Sequence, residues 1–142
     1  MRSAHIGVVV QRPVHEVYAF AREPDNLPRW ASGLAGSEVR RVGAALVTDS
    51  PMGEVRFAFV APNDLGVLNH DVTLPTGDVV TNPMRVVAHP DGSEVLFTVR
   101  QQDLTDEEFA RDCATVERDL LRLKEILEAE GYGCEPPARP GR

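Results

Sequence analysis

The run from Thr105 to Gly131 constrains this chain more than any other stretch, because it carries every signal of one long amphipathic helix. Phe109, Cys113, Val116, Leu120, Leu123 and Leu127 recur at spacings of four and three, which sets them on a single helical stripe. The opposite face is almost wholly charged. Thr105 stands where an N-cap belongs, Glu108 completes a capping box, and Leu104 with Phe109 has the spacing of a hydrophobic staple. Gly131 supplies the C-terminal stop. About 24 residues rising about 1.5 Å each make a rod of roughly 36 Å, so the rest of a small domain must be arranged along it. The stripe offers shape but neither acid nor base, so any chemistry beside it has to come from whatever covers it.

The remaining length bounds the answer. The chain of 142 residues reads as one domain over residues 1–131, large enough to bury a core without staples. Residues 132–142, with Pro136, Pro137 and Pro140, bury too little to offset ordering and read as a loose tail. A net charge of −7 argues against nucleic acid or an anionic membrane as the main partner. Ile6 to Val10 is too short an apolar run for a secretory leader or a membrane span, which points to the cytoplasm. Cys113 and Cys134 lack CxxC spacing and read as reduced thiols. No His or carboxylate spacing suits zinc or calcium, and no phosphate-binding glycine loop occurs, so neither metal nor cofactor is expected.

Before the long helix the pattern is mixed and then strictly alternating. His5 to Gln11 reads as a first strand, and Pro13 opens a helix at its first position, with Val14, Val17, Tyr18 and Ala21 at helical spacing. Pro24 ends that helix, and Leu27 and Trp30 mark a second, shorter one. After Gly36 the period becomes two. Strands are expected near 37–42, 44–50, 54–60, 66–74, 79–88 and 93–101, joined by turns at Gly43, Pro51-Met52-Gly53, Pro62-Asn63-Asp64, Pro75-Thr76-Gly77-Asp78 and Pro90-Asp91-Gly92. Pro83 cannot donate to a ladder and predicts an edge or a bulge within the fifth of these.

The strand faces say what the helix must cover. Val55, Phe57 and Phe59, then Leu68, Val72 and Leu74, then Val95, Phe97 and Val99 alternate with polar neighbours, so one face of the sheet is apolar. The long helix is the partner able to cover it. The expected class is therefore α+β: a curved six- to seven-stranded antiparallel sheet wrapped around a long C-terminal helix, with two short helices after the first strand. A twisted sheet of that size curls, and the space beneath the helix either fills with side chains or stays open as a cavity.

The segments Pro13-Val14-His15-Glu16-Val17-Tyr18, Asp25-Asn26-Leu27-Pro28-Arg29-Trp30 and Asp119-Leu120-Leu121-Arg122-Leu123-Lys124, in this order of elements, resemble the START-like or polyketide cyclase (SRPBCC) superfamily over about residues 5–129. The resemblance implies a helix-grip fold with a deep, mostly apolar cavity, in members that bind lipids, polyketides, hormones or quinones, or act as cyclases or chaperone activators. It carries no shared catalytic motif.

Candidate residues follow from phase. His70 shares a face with Leu68, Val72 and Leu74, where it is either a general acid or base or a hydrogen-bonded core histidine. Asn82 shares a face with Val80, Met84 and Val86 and can meet a ligand carbonyl. Trp30, Phe57, Phe59, Met84, Phe97 and Val99, with Phe109, Cys113, Val116 and Leu120 of the helix, are expected to line the cavity or simply to pack. Three functions compete: binding of a small hydrophobic molecule, cyclase or dehydratase chemistry through His70 and Asn82, and an interaction or chaperone-activating module whose helix stripe meets another chain. A homodimer through the outer face or edge of the sheet is left open.

Overall fold

A computed structural model describes residues 1–32, 38–43, 45–50 and 53–130. β1 (Ser3–Val10) pairs antiparallel with β8 (Gly92–Arg100), and β8 with β7 (Met84–His89), forming a three-stranded sheet. β2 (Val39–Val42), β3 (Ala45–Ser50), β4 (Gly53–Phe59), β5 (His70–Thr73) and β6 (Val79–Asn82) form a second, five-stranded antiparallel sheet in sequence order. α1 (Val14–Arg22), a 3₁₀ turn at Pro24–Asn26, α2 (Leu27–Trp30) and the long α3 (Asp106–Glu130) complete the order. The α+β class with a long C-terminal helix over open antiparallel sheet is as expected. The ladder, however, divides in two.

Pro83 makes the division. With no N–H to donate, it splits the expected strand 79–88 into β6 in one sheet and β7 in the other. The strand expected over 66–74 splits opposite it. Only His70–Thr73 joins the five-stranded sheet, whereas residues 66–68 run along β7, with Leu68 N–H donating to Met84 O at 2.8 Å and Val86 N–H to Gly66 O at 2.9 Å. At the break Asn69 substitutes for the ladder: its Oδ1 accepts from Met84 N–H at 2.9 Å, and its own carbonyl accepts from Val60 N–H at 2.9 Å. Gly66 is required here, because its φ is +72° and an added Cβ would lie 2.2 Å from Val86 O.

The helices begin and end for local reasons. Pro13 is the N-cap of α1 rather than its first residue, extended at φ −65° and ψ 155°, and its carbonyl accepts from Glu16 and Val17 N–H. α3 begins with the expected capping box: Glu108 N–H donates to Thr105 Oγ1 at 3.1 Å, and Thr105 N–H to Glu108 Oε1 at 2.9 Å. Gly131, Cys134 and the expected tail lie outside the described residues. Two carbonyls of the last turn of α3 are met by Arg12, whose guanidinium donates to Leu127 O at 3.1 Å and Glu128 O at 3.3 Å.

This end of α3 is fastened to β1. Lys124 Nζ donates to Val9 O at 2.8 Å and to Glu128 Oε2 at 2.7 Å, and Gln11 N–H donates to the same carboxylate at 2.8 Å. Burial pushes the Glu128 carboxyl up, but Lys124, the Gln11 amide and Arg12 together outweigh it and hold the group below its ordinary pKa. Beneath the clamp, Leu120, Leu123 and Leu127 are buried with Val10, Val17, Val86 and Val95. Each such large side chain contributes about 1.5–3 kcal/mol. α3 thus rests chiefly on β1, β8 and α2.

Candidate functional site

Between α3 and the five-stranded sheet the molecule is not filled. A cavity of about 380 Å³ lies there. The strand register explains its floor. Phe59, His70 and Asn82 are cross-strand partners in one row, Phe57 and Val72 in the next, and Thr48 and Val55 in a third, so their side chains share one face. Phe97 of β8 closes the floor at the seam. Leu27, Trp30 and Ala31, on and just after α2, and Thr115, Val116, Asp119 and Leu120 of α3 make the opposite wall. Asp49 also lines the cavity, and its side chain is 71% exposed, which marks where the cavity meets solvent.

His70 is a titratable group at the centre of the Phe59–His70–Asn82 row. Its Nδ1 lies 3.0 Å from Leu68 O, and a carbonyl can only accept, so Nδ1 carries the proton and Nε2 a lone pair. That lone pair faces Asn82 Nδ2 at 3.5 Å. The ring sits between Phe59, tilted at 5.3 Å between centroids, and Phe97, edge-on at 5.7 Å. Burial lowers its pKa from the ordinary 6.5, against the opposing pull of Leu68 O and Asp71. The imidazole is therefore neutral at physiological pH.

Two further polar groups are unusual. Trp30 and Thr48 are 6% and 5% exposed, and neither Trp30 Nε1 nor Thr48 Oγ1 has a hydrogen-bond partner among the described residues. Both residues line the cavity. A buried polar group left unpaired costs about 1–3 kcal/mol, so these atoms are predisposed to meet something that enters.

Of the residues singled out from sequence, Trp30, Phe57, Phe59, His70, Asn82, Phe97, Val116 and Leu120 meet around the cavity. Met84, Val99, Phe109 and Cys113 do not. Met84 and Val99 are buried in the three-stranded sheet and do not line the cavity; Met84 follows Pro83, where the chain leaves the cavity floor, and Val99 lies on β8 opposite Ala4 of β1. Phe109 lies one to two turns before the cavity, buried beneath the Arg2 guanidinium at 5.1 Å, and Cys113 is half-buried one turn on. The view of α3 as offering no acid also needs correction, because Asp119 lines the cavity beside Leu120. Thr48 could have been found from its phase with Leu46. Asp119, adjacent to the apolar stripe, gave no such signal. Among the described residues no three His, Cys, Asp or Glu are grouped to hold a metal, and no helix is long and apolar enough to cross a membrane.

An α+β domain whose long C-terminal helix closes a cavity over a curved antiparallel sheet is a helix-grip domain. The chain belongs to the family of polyketide cyclases, dehydrases and lipid transport proteins, whose model matches residues 1–128. Solved structures share the fold at low identity. The Aha1 dimer from Colwellia psychrerythraea superposes with a TM-score of 0.70 at 16% identity, covering 90% of this chain and 97% of that one. The AHSA1-like protein from Aeromonas hydrophila gives 0.69 at 16%, covering 97% and 100%. DynU16, from the dynemicin biosynthetic locus, gives 0.67 at 17%; 89% of this chain is covered, but it spans only 47% of DynU16. A comparison with curated protein sequences finds no match.

Proposed function

We propose that this protein binds one small, largely apolar, ring-bearing molecule in the cavity between α3 and the five-stranded sheet. The observation that carries the reading is the pairing of an apolar wall with unpartnered buried polar atoms. Phe57, Phe59, Phe97 and Val116 supply flat and aliphatic surface, and Trp30 Nε1 supplies a donor with no acceptor among the described residues. A volume of about 380 Å³ suits a ligand of two to three fused rings. A carbonyl or phenolic oxygen on such a ring would satisfy the indole N–H or the Thr48 hydroxyl. Calorimetric titration with 1-naphthol tests this: saturable one-to-one binding is expected, and Val116→Phe, which fills the cavity from α3, should abolish it while the protein stays folded. Absence of binding by the unsubstituted protein would remove the reading.

A cyclase-type reading has one observation of its own, the Nε2 lone pair of a neutral His70 beside Asn82. Such a base could take a proton from an activated methylene of a poly-ketone held against Phe59 and Phe97. A pH–rate profile on a poly-ketone substrate that shows no ionisation, or one unchanged by His70→Gln, would discard it. The interaction-module reading is weakened by the fold, because Leu120, Leu123 and Leu127 of the α3 stripe are already buried. A homodimer through β6, at the end of its sheet with Val79 exposed, has as support the dimeric state of the Aha1 structure; sedimentation at the monomer mass would dismiss it.

A further inference from the structure

Among the described residues the charges around the cavity are one-sided: Asp49 and Asp119 line it, and no Lys or Arg does. The segments that follow Ser32 and Ser50, residues 33–37 and 51–52, contain no ionisable side chain, so they add none. The two carboxylates are not equivalent. Asp49 is already paired, its Oδ2 accepting from Arg40 at 3.0 Å. Asp119 has no ion pair among the described residues; its Oδ1 accepts from Ser32 N–H at 3.1 Å, which fixes the carboxylate and leaves Oδ2 available. The cations nearest in sequence are engaged: Arg118, exposed, donates to Thr115 Oγ1 at 3.3 Å, and Arg122 is paired with Glu125 at 3.4 Å.

A carboxylate held at the wall of an apolar cavity acts on a ligand charge through a medium less polarisable than water. It attracts an ammonium and repels a carboxylate, and the repulsion adds to the cost of desolvating an anion beside Phe57 and Val116. The polar atoms deeper in do not offset this for an anion, since Trp30 Nε1 and Thr48 Oγ1 are neutral groups that serve a carbonyl or hydroxyl equally well.

We infer that the ligand is a ring-bearing amine whose ammonium pairs with Asp119, and that the same residue excludes fatty acids and other carboxylates. The inference rests on the cavity-binding reading above and adds the ligand's charge to it. Three probes of nearly equal shape separate the two: 1-naphthylmethylamine, 1-naphthylmethanol and 1-naphthoate, each titrated by calorimetry at low and at raised salt. The amine should bind at least about tenfold more tightly than the carboxylate, with the alcohol between them, and raised salt should narrow the spread. Asp119→Asn keeps an oxygen for Ser32 N–H and should bring the amine to within about threefold of the alcohol. Equal binding of amine and carboxylate, or a preference for the carboxylate, overturns the inference and leaves the cavity reading standing. Failure of all three to bind overturns both. The salt series on the unsubstituted protein decides the matter even where the variant does not fold.

Discussion

His70 and Asn82 face each other across β5 and β6, with the imidazole Nε2 3.5 Å from the Asn82 amide nitrogen and the opposite ring nitrogen bound to Leu68 O. The pair sits where the two sheets part. One residue later Pro83 leaves the floor, and one residue earlier Asn69 repairs the missing ladder bond.

This setting makes stability depend on pH in a definite direction. Phe59 from β4 and Phe97 from β8 pack on the ring, Asn82 from β6 faces it without charge, and Asp71 is the charged neighbour along its own strand. Burial holds the folded-state pKa below the unfolded value near 6.5. Between the two values the unfolded chain binds more protons, so stability falls as pH drops through about 6.5 and the loss ends below the folded pKa. Urea midpoints from about pH 7.5 to about pH 5.5 should fall more for the parent protein than for His70→Gln. Parallel curves would contradict the assignment.

Gly66 and Gly77 both have positive φ, at +72° and +97°, but only Gly66 is crowded. Gly66→Ala drives a Cβ to 2.2 Å from Val86 O, at the stitch between the two sheets, whereas Gly77→Ala meets nothing within 4 Å. The first should cost about 2–4 kcal/mol and the second about 1 kcal/mol, read from chemical denaturation. Equal losses would mean that strain in φ, not the close approach, is what Gly66 relieves.

Leu123 and Val116 lie two turns apart on α3 with different neighbours. Leu123 is fully buried over the three-stranded sheet, and Val116 borders the cavity. Leu123→Ala opens a hole in close packing and should cost about 2–5 kcal/mol. Val116→Ala enlarges a space that is already open and should cost about 1 kcal/mol or less. A loss at Val116 as large as that at Leu123 would show that the cavity is closed by packing.

What could be read from the residues alone follows the range of the forces involved. The Thr105–Glu108 capping box, the stripe of α3 and the alternation of Val55, Phe57 and Phe59 are local signals, and the structure shows each of them. Phase also set His70 and Asn82 on one face. Where the sheet divides is a matter of pairing between distant segments, and Pro83 announced a break without saying that residues 66–68 would leave their strand with it. For the same reason Phe109 and Cys113 share a stripe with Leu120 yet miss the cavity, because the stripe shows which face is inward and not which part of the helix has nothing beneath it. Thr48 is legible from its phase with Leu46 on β3, but Asp119 is not, because a polar residue beside an apolar helical stripe has the same pattern whether it meets solvent or a cavity.

The most direct test of the central claim uses Trp30, the one tryptophan of the chain, a cavity-lining residue whose indole N–H has no partner among the described residues. A ¹⁵N-labelled sample has a single indole N–H resonance to follow during titration with 1-naphthol. Binding in the cavity predicts a saturable shift of that resonance, moving downfield as the N–H gains an acceptor, with the same midpoint as calorimetry. An indole resonance that stays in place while 1-naphthol binds, or no saturable binding at all, would contradict the account.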